Sequence, residues 1–169
     1  MKIIASHIIM RGDFLMLKIR TVIVNILIAL AAGGASAFLT RDSMAEYEAA
    51  VKPPLAPPPA VFPIVWTILF ILMGVSAALV RDSGTKDRGG ALAVYGAQLA
   101  VNFIWPIIFF GAGKYLPAFF WLLLLLALVI LMIVKFRKIR PLAGTLQIPY
   151  LLWLLFAGYL NFAVWLLNR

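Results

Sequence analysis

Inside the long apolar stretches of this sequence, the side chains with chemistry to offer are indoles, phenols and carboxamides. Phe62, Trp66, Leu69, Met73 and Ala77 recur at helical spacing. So do Tyr95, Gln98, Asn102, Trp105 and Phe109, and again Tyr150, Trp153, Ala157, Leu160, Asn161 and Val164. At 100° per residue each set keeps to about a third of a helix circumference. A carboxamide in hydrocarbon is costly unless it is hydrogen-bonded, so Gln98, Asn102 and Asn161 are expected to face a shared interior. Trp66, Trp105 and Trp153 lie on the same faces. Taken singly, such amides glue helices together and such aromatics fill a core or an interfacial belt. Trp121 and Trp165, off the stripes or close to a helix end, are read that way. Three stripes converging point instead to a pocket for a flat apolar ligand, with aromatic walls and few polar groups.

Other chemistry has no apparatus. The six acids (Asp13, Asp42, Glu46, Glu48, Asp82 and Asp87) and all 15 basic residues fall outside the apolar runs. Proton- and ion-coupled carriers place an ionisable group within the bundle, so a drug/proton antiporter, a pump and a voltage sensor are disfavoured. His7 is the single histidine and there is no cysteine; neither a metal ligand set nor thiolate chemistry can be assembled, and no cofactor is expected. No nucleophile–base pair, paired carboxylates or phosphate-cradling loop is present, so binding is expected rather than acid–base catalysis.

The elements that carry these stripes must cross a membrane. Hydrophobic residues make up 64% of the 169 and charged residues 12%, with a mean hydropathy of +1.04. A soluble domain of this size has too little interior to hide so much apolar surface. No charge occurs in Thr21–Thr40, Pro53–Val80, Gly89–Gly113, Tyr115–Val134 or Pro141–Asn168. Each run reaches the roughly 20 residues that a helix needs to cross hydrocarbon. Trimming for Pro and Gly predicts an all-α integral membrane bundle of five helices, at about 22–39, 63–80, 92–110, 117–134 and 149–167. The runs lack the alternation of a porin strand. Pro117 and Pro149 fall where a first-turn proline removes no helical hydrogen bond. The first connection, Thr40 to about Phe62, contains PPLAPPP, which cannot be helical and is expected to lie as a stiff strap over the pocket. The fourth span has no polar stripe and is expected to face lipid. The run AAGGASA (Ala31–Ala37) and the pairs Ala93/Ala97 and Gly96/Ala100 permit close helix contact.

Charge sets the expected orientation. The net charge of +9 lies in connections, where anchoring explains it better than nucleic-acid binding does. Lys2, Arg11, Lys18, Arg20, Arg81, Lys86, Arg88, Lys135, Arg137, Lys138 and Arg140 share one side. Arg41, Lys52, Lys114 and Arg169 share the other. The positive-inside rule puts the N-terminus in the cytoplasm, and the C-terminus and proline-rich loop outside, in a bacterial cell membrane. Residues 1–19 read as an extension, poorly ordered or a short helix, and 20–169 as the transmembrane domain. Residues 1–17 resemble neither a cleavable signal nor a span, and Met16 offers an alternative start.

Three segments, KPPLAPPPAVFPIVWTILFILMG, YGAQLAVNFIWPIIFFGAG and PYLLWLLFAGYLNFAVWLLN, resemble signature stretches of the translocator protein family. These are the tryptophan-rich sensory proteins, related to the peripheral-type benzodiazepine receptor. The resemblance extends over about residues 20–168. It implies five helices around a pocket capped by the first loop, commonly as a homodimer. It also implies porphyrin ligands such as protoporphyrin IX and haem, together with isoquinoline or benzodiazepine drugs. By matching positions, the pocket would include Tyr47 and Pro57 from the loop, Phe62, Trp66 and Phe70 from the second helix, and Asn102 and Trp105 from the third. Trp153, Ala157 and Leu160 would come from the fifth. The implied roles are porphyrin transport, sensing or stress-linked regulation. Alternatives are light-dependent porphyrin degradation through Trp66 and Trp153, or a structural, accessory role. Two departures stand out: Leu55 occupies a loop position where many members carry Trp, and Phe162 replaces the Tyr of the animal cholesterol motif. Tyr159 is ten residues from Arg169, which disfavours sterol binding.

Overall fold

The computed structural model describes the backbone from Lys2 onward and the side chains from Lys18 onward, Glu46 excepted. The expectations placed on residues 1–17, His7 and Met16 among them, lie outside the described side chains.

Among the described residues, five helices are long and apolar enough to span a membrane. α1 runs Lys2–Thr40. A 3₁₀ turn (Arg41–Ser43) and a short α2 (Met44–Ala49) follow, then α3 (Val61–Arg81) and α4 (Arg88–Pro106), which continues as a π turn over Ile107–Gly111. α5 (Tyr115–Ile139), a five-residue α6 (Pro141–Thr145) and α7 (Ile148–Leu167) complete the chain. The chain is an integral, multi-pass membrane protein. Its outward faces suit that solvent: Ile23, Leu27, Ile64, Ile68, Phe120, Leu124, Ile130, Leu152 and Leu155 are all exposed.

Two boundaries differ from expectation for identifiable reasons. The first connection is not wholly extended, because MAEYEA before the prolines consists of helix-compatible residues and forms α2. Beyond it, residues 51–60 are non-helical, with turns closed by Ala56 N–H to Pro53 O and Val61 N–H to Pro58 O, both at 2.9 Å. α5 extends past Val134 to Ile139 and takes Arg137 and Lys138 into its last turn, where cations suit the negative end of the helix dipole. The fifth helix, α7, begins at Ile148 with Pro149 in its first turn, as expected, and the short α6 from Pro141 precedes it. Proline drives the preceding residue out of the helical region, and Arg140 accordingly sits at φ −144°, ψ 108°. That break separates α5 from α6 and confines the loop to a single residue.

Packing is closest between α1 and α3. A Cβ on Gly74 would meet the Ile26 backbone nitrogen at 2.6 Å, and one on Gly33 would collide with the Phe70 ring. The small residues of α1 are therefore contact sites, as the AAGGASA run suggests. Ser36 Oγ donates to Phe103 O at 2.7 Å and ties α1 to α4. α5 faces lipid on one side only: Ala118, Leu122, Leu125, Val129, Met132 and Phe136 are buried against α4 and α7. Trp121 donates to Val101 O at 2.8 Å, which explains an indole off the stripes. Where α6 meets α3, Ser76 donates to Ala143 O, and Gln147 Nε2 donates to Leu72 O at 3.2 Å.

Candidate functional site

The predicted stripes meet. Gln98, Asn102 and Asn161 are all buried, at 0%, 4% and 1% exposure. Each amide has a partner, as burial in a low-dielectric interior requires. Asn102 Nδ2 donates to the Tyr150 hydroxyl at 2.7 Å, which donates to Gln98 Oε1 at 3.1 Å. Asn161 accepts from Trp105 Nε1 at 3.2 Å and donates to Tyr115 O at 2.7 Å. That bond turns Asn161 away from ligand duty and makes it the anchor of the Trp105 indole.

Above these contacts lies a cavity of about 760 Å³, roofed by the first connection. Its aromatic walls come from Phe62, Trp66 and Phe70 on α3, Trp105 on α4 and Trp153 on α7. Asn102 and Ala157 also line it, and Tyr47 and Pro57 face it from above. The cavity thus gathers every position assigned by resemblance except Leu160. That residue is buried at 6% exposure, next in sequence to Asn161, and is not on the cavity wall.

The rings hold one another in place. Trp66 lies 5.6 Å from Phe70 and 6.1 Å from Tyr150, and Phe62 meets Trp153 edge-on at 6.0 Å. Trp105 stacks on Phe109 at 5.1 Å, and Tyr47 packs against Phe109 and Phe110 at 5.5 and 5.0 Å. The π turn after Pro106 brings Phe109 and Phe110 round to meet Tyr47; a proline leaves one carbonyl unserved and invites such a turn. Burial first, and the neighbouring Tyr115 second, push the Tyr47 phenol above its ordinary value of 10, so the roof stays uncharged there.

The polar groups left over are few and placed. Trp153 Nε1 is buried without a hydrogen-bond partner, and an indole N–H can only donate. At the mouth stand Arg41, Lys52 and Glu48. Arg41 Nε is 3.4 Å from Asp42, an exposed pair of little energetic consequence. Lys52 Nζ lies 5.0 Å from the Tyr47 ring centre and donates to Glu48 O at 3.3 Å. The strap is tied down by Asn168, which accepts from Val51 N–H and donates to Val51 O, both at 2.9 Å.

Residues 25–166 match the TspO/MBR family. The chain belongs to that family. It is 36% identical over 154 residues to the tryptophan-rich protein TspO of Chlorobaculum tepidum, covering 89% of this chain and 98% of that one. It is 37% identical over 133 residues to the human translocator protein, covering 77% and 79%. With the tryptophan-rich sensory protein of Cereibacter sphaeroides it shares 37% over 122 residues, covering 72% and 76%.

Sequence reasoning overlooked one wall. Gly33, Ser36, Ala37 and Thr40 of α1 line the cavity beside Phe103, Pro106 and Phe110. The signal was present in the run of small residues: a helix that packs its neighbour so closely also leaves room beside it. Leu55, at the departure from the family pattern, is 66% exposed and not on the cavity wall.

Proposed function

We propose that this TspO/MBR-family protein binds porphyrins and similar flat, apolar, anionic ligands in the cavity under the strap, and acts in their transport or sensing. The observation that carries the reading is the combination of walls and rim. Trp66, Trp105 and Trp153 surround the space within the bundle, while Arg41 and Lys52 stand at its mouth. A tetrapyrrole has an apolar face for the indoles and carboxylates for the cations, and Glu48 on the same rim limits how many carboxylates the mouth accepts. The volume lies within the range of about 300–1,000 Å³ typical of small-molecule sites. The names of the relatives, translocator and sensory protein, agree with a carrier or receptor role. The cations of the α3–α4 connection and of the α5–α6 joint support the orientation in which the strap is extracytoplasmic.

Titration of the purified protein in nanodiscs with protoporphyrin IX tests this reading. Tryptophan fluorescence is expected to quench saturably, and Trp66→Phe with Trp153→Phe to remove most of the quenching. Unsaturable quenching, or quenching indifferent to both substitutions, overturns it. Recovery of the porphyrin unchanged after illumination separates binding from light-driven degradation.

A further inference from the structure

At the end of the bundle away from the strap, cations gather where lipid-facing apolar surface stops. Ile130, Leu131 and Val134 of α5 are exposed. One and two turns further on, Arg137 and Lys138 continue the same faces, at i+7 from Ile130 and Leu131, and both are exposed, as is Arg140. Arg137 is held in place: a Cβ on Gly144 would collide with its Cγ, so its stem lies across the backbone of α6. On the α3–α4 connection, Arg88 folds back and donates from Nη1 to Arg81 O at 3.3 Å, serving a carbonyl at the end of α3. The two groups adjoin. Arg81 acts electrostatically on the Tyr95 hydroxyl, and the Tyr95 ring lies 6.2 Å from that of Phe136, the neighbour of Arg137. Counter-charge is scarce there. Among the described residues the acids at this end are Asp82 and Asp87, both exposed, and the ion pair is Arg41–Asp42 at the strap. Beside Arg140, Leu142 of α6 projects at 61% exposure, while Ala143 and Gly144 behind it are buried.

We propose that this end is a binding site for acidic phospholipids, in which Arg137, Lys138 and Arg140, with Arg81 and Arg88 beside them, hold the phosphate while the acyl chains lie along Ile130, Leu131 and Val134. The site is separate from the cavity and does not depend on what the cavity holds. Orientation in the membrane needs no more than an excess of cations on one side. Guanidinium groups on anchored stems, an absence of paired carboxylates and an apolar strip leading up to them go beyond a count. A phosphodiester suits the guanidinium fork, and a stem already fixed by Gly144 loses less freedom on binding. The exposed Leu142 and the α5 strip select a lipid over a soluble polyanion, which would leave both without apolar company.

The test is native mass spectrometry of the full chain in mild detergent, offered equal amounts of phosphatidylglycerol and phosphatidylcholine with identical acyl chains. Each cation near an acidic headgroup contributes a factor of about five, so two in contact give phosphatidylglycerol a preference of about 25-fold. Arg137→Gln and Arg140→Gln are each expected to lower that ratio about fivefold, and the double variant to bring it close to unity, with phosphatidylcholine binding unchanged. Arg140 is exposed, and Gln at 137 keeps the methylenes that rest on Gly144, so both variants keep the fold. Lys114→Gln with Arg169→Gln, which removes the same charge from the strap end, should leave the ratio as it was. Equal retention of the two lipids overturns the site. So does an equal loss in the strap-end variant, which would mean that net charge alone attracts the lipid. Displacement of phosphatidylglycerol by an equal concentration of glycerol phosphate would show recognition of phosphate without its chains, and would overturn the choice of a lipid.

Discussion

Asn168→Ala is expected to loosen the strap and speed ligand exit without dismantling the bundle. The Asn168 carboxamide makes two reciprocal 2.9 Å bonds to Val51, and Nδ2 also caps its own helix at Val164 O, 2.8 Å away. Only the first two cross from α7 to the strap. Both are solvent-exposed, so each contributes toward the lower part of the usual range of about 0.5–1.5 kcal/mol. Their loss amounts to about 1–2 kcal/mol, or roughly 5- to 30-fold in the closed-to-open ratio of the strap. Two measurements read it. Exchange protection of the Val51 amide should fall by that factor, with no ligand required, and the dissociation rate of protoporphyrin IX should rise by a similar one. Asn168→Asp gives an intermediate result, because it keeps the acceptor for Val51 N–H and sets a carboxylate against Val51 O. Unchanged Val51 protection in Asn168→Ala would mean that the strap is held by the Tyr47–Phe109–Phe110 rings instead, and the latch argument would fail.

Two further outcomes follow from packing and titration. Gly74→Ala should destabilise the protein by about 1–3 kcal/mol in detergent melts, because its Cβ meets the Ile26 backbone, which cannot yield as a side chain would; Gly96→Ala, with nothing within 4 Å, should be neutral or stabilising by up to about 1 kcal/mol. The Tyr47 phenol is raised above its unfolded value near 10, so above pH 10 the unfolded chain gives up this proton first and stability falls as pH rises; Tyr47→Phe should flatten that alkaline decline, and a decline of equal slope in the variant would refute the assignment.

The spans were legible because lipid imposes a coarse rule, that charge-free runs of sufficient length must be helices, and the five runs obey it. The site was legible for the same reason. A buried amide must find a partner, so Gln98, Asn102 and Asn161 could be placed inward before any coordinates. What sequence did not reveal is which partner each found. Asn161 has the same spacing credentials as Asn102 but is spent on Trp105 and Tyr115, whereas Asn102 borders the cavity. The difference lies in which groups of neighbouring helices come within reach, Trp105 Nε1 and Tyr115 O for Asn161, and no periodicity argument anticipates that. The α1 wall was missed because Gly33 and Ala37 carry no side-chain chemistry. A pocket wall made by the absence of side chains resembles a packing seam in sequence.

The distribution of charge within the site limits what a ligand can do there. Below the roof no group can gain or lose a proton near neutral pH, since the interior offers phenols, amides and indoles, while Arg41, Lys52 and Glu48 stay at the mouth. A ligand carboxylate drawn down among the indoles would lose its hydration with only neutral groups to replace it. On the proposed reading, anionic ligands would enter with their apolar edge first and keep their charge at the rim. On that reading the same asymmetry favours the strap side as the way in and out, because passage through the opposite end would carry the charge through the buried core around Tyr150, Met73 and Phe136.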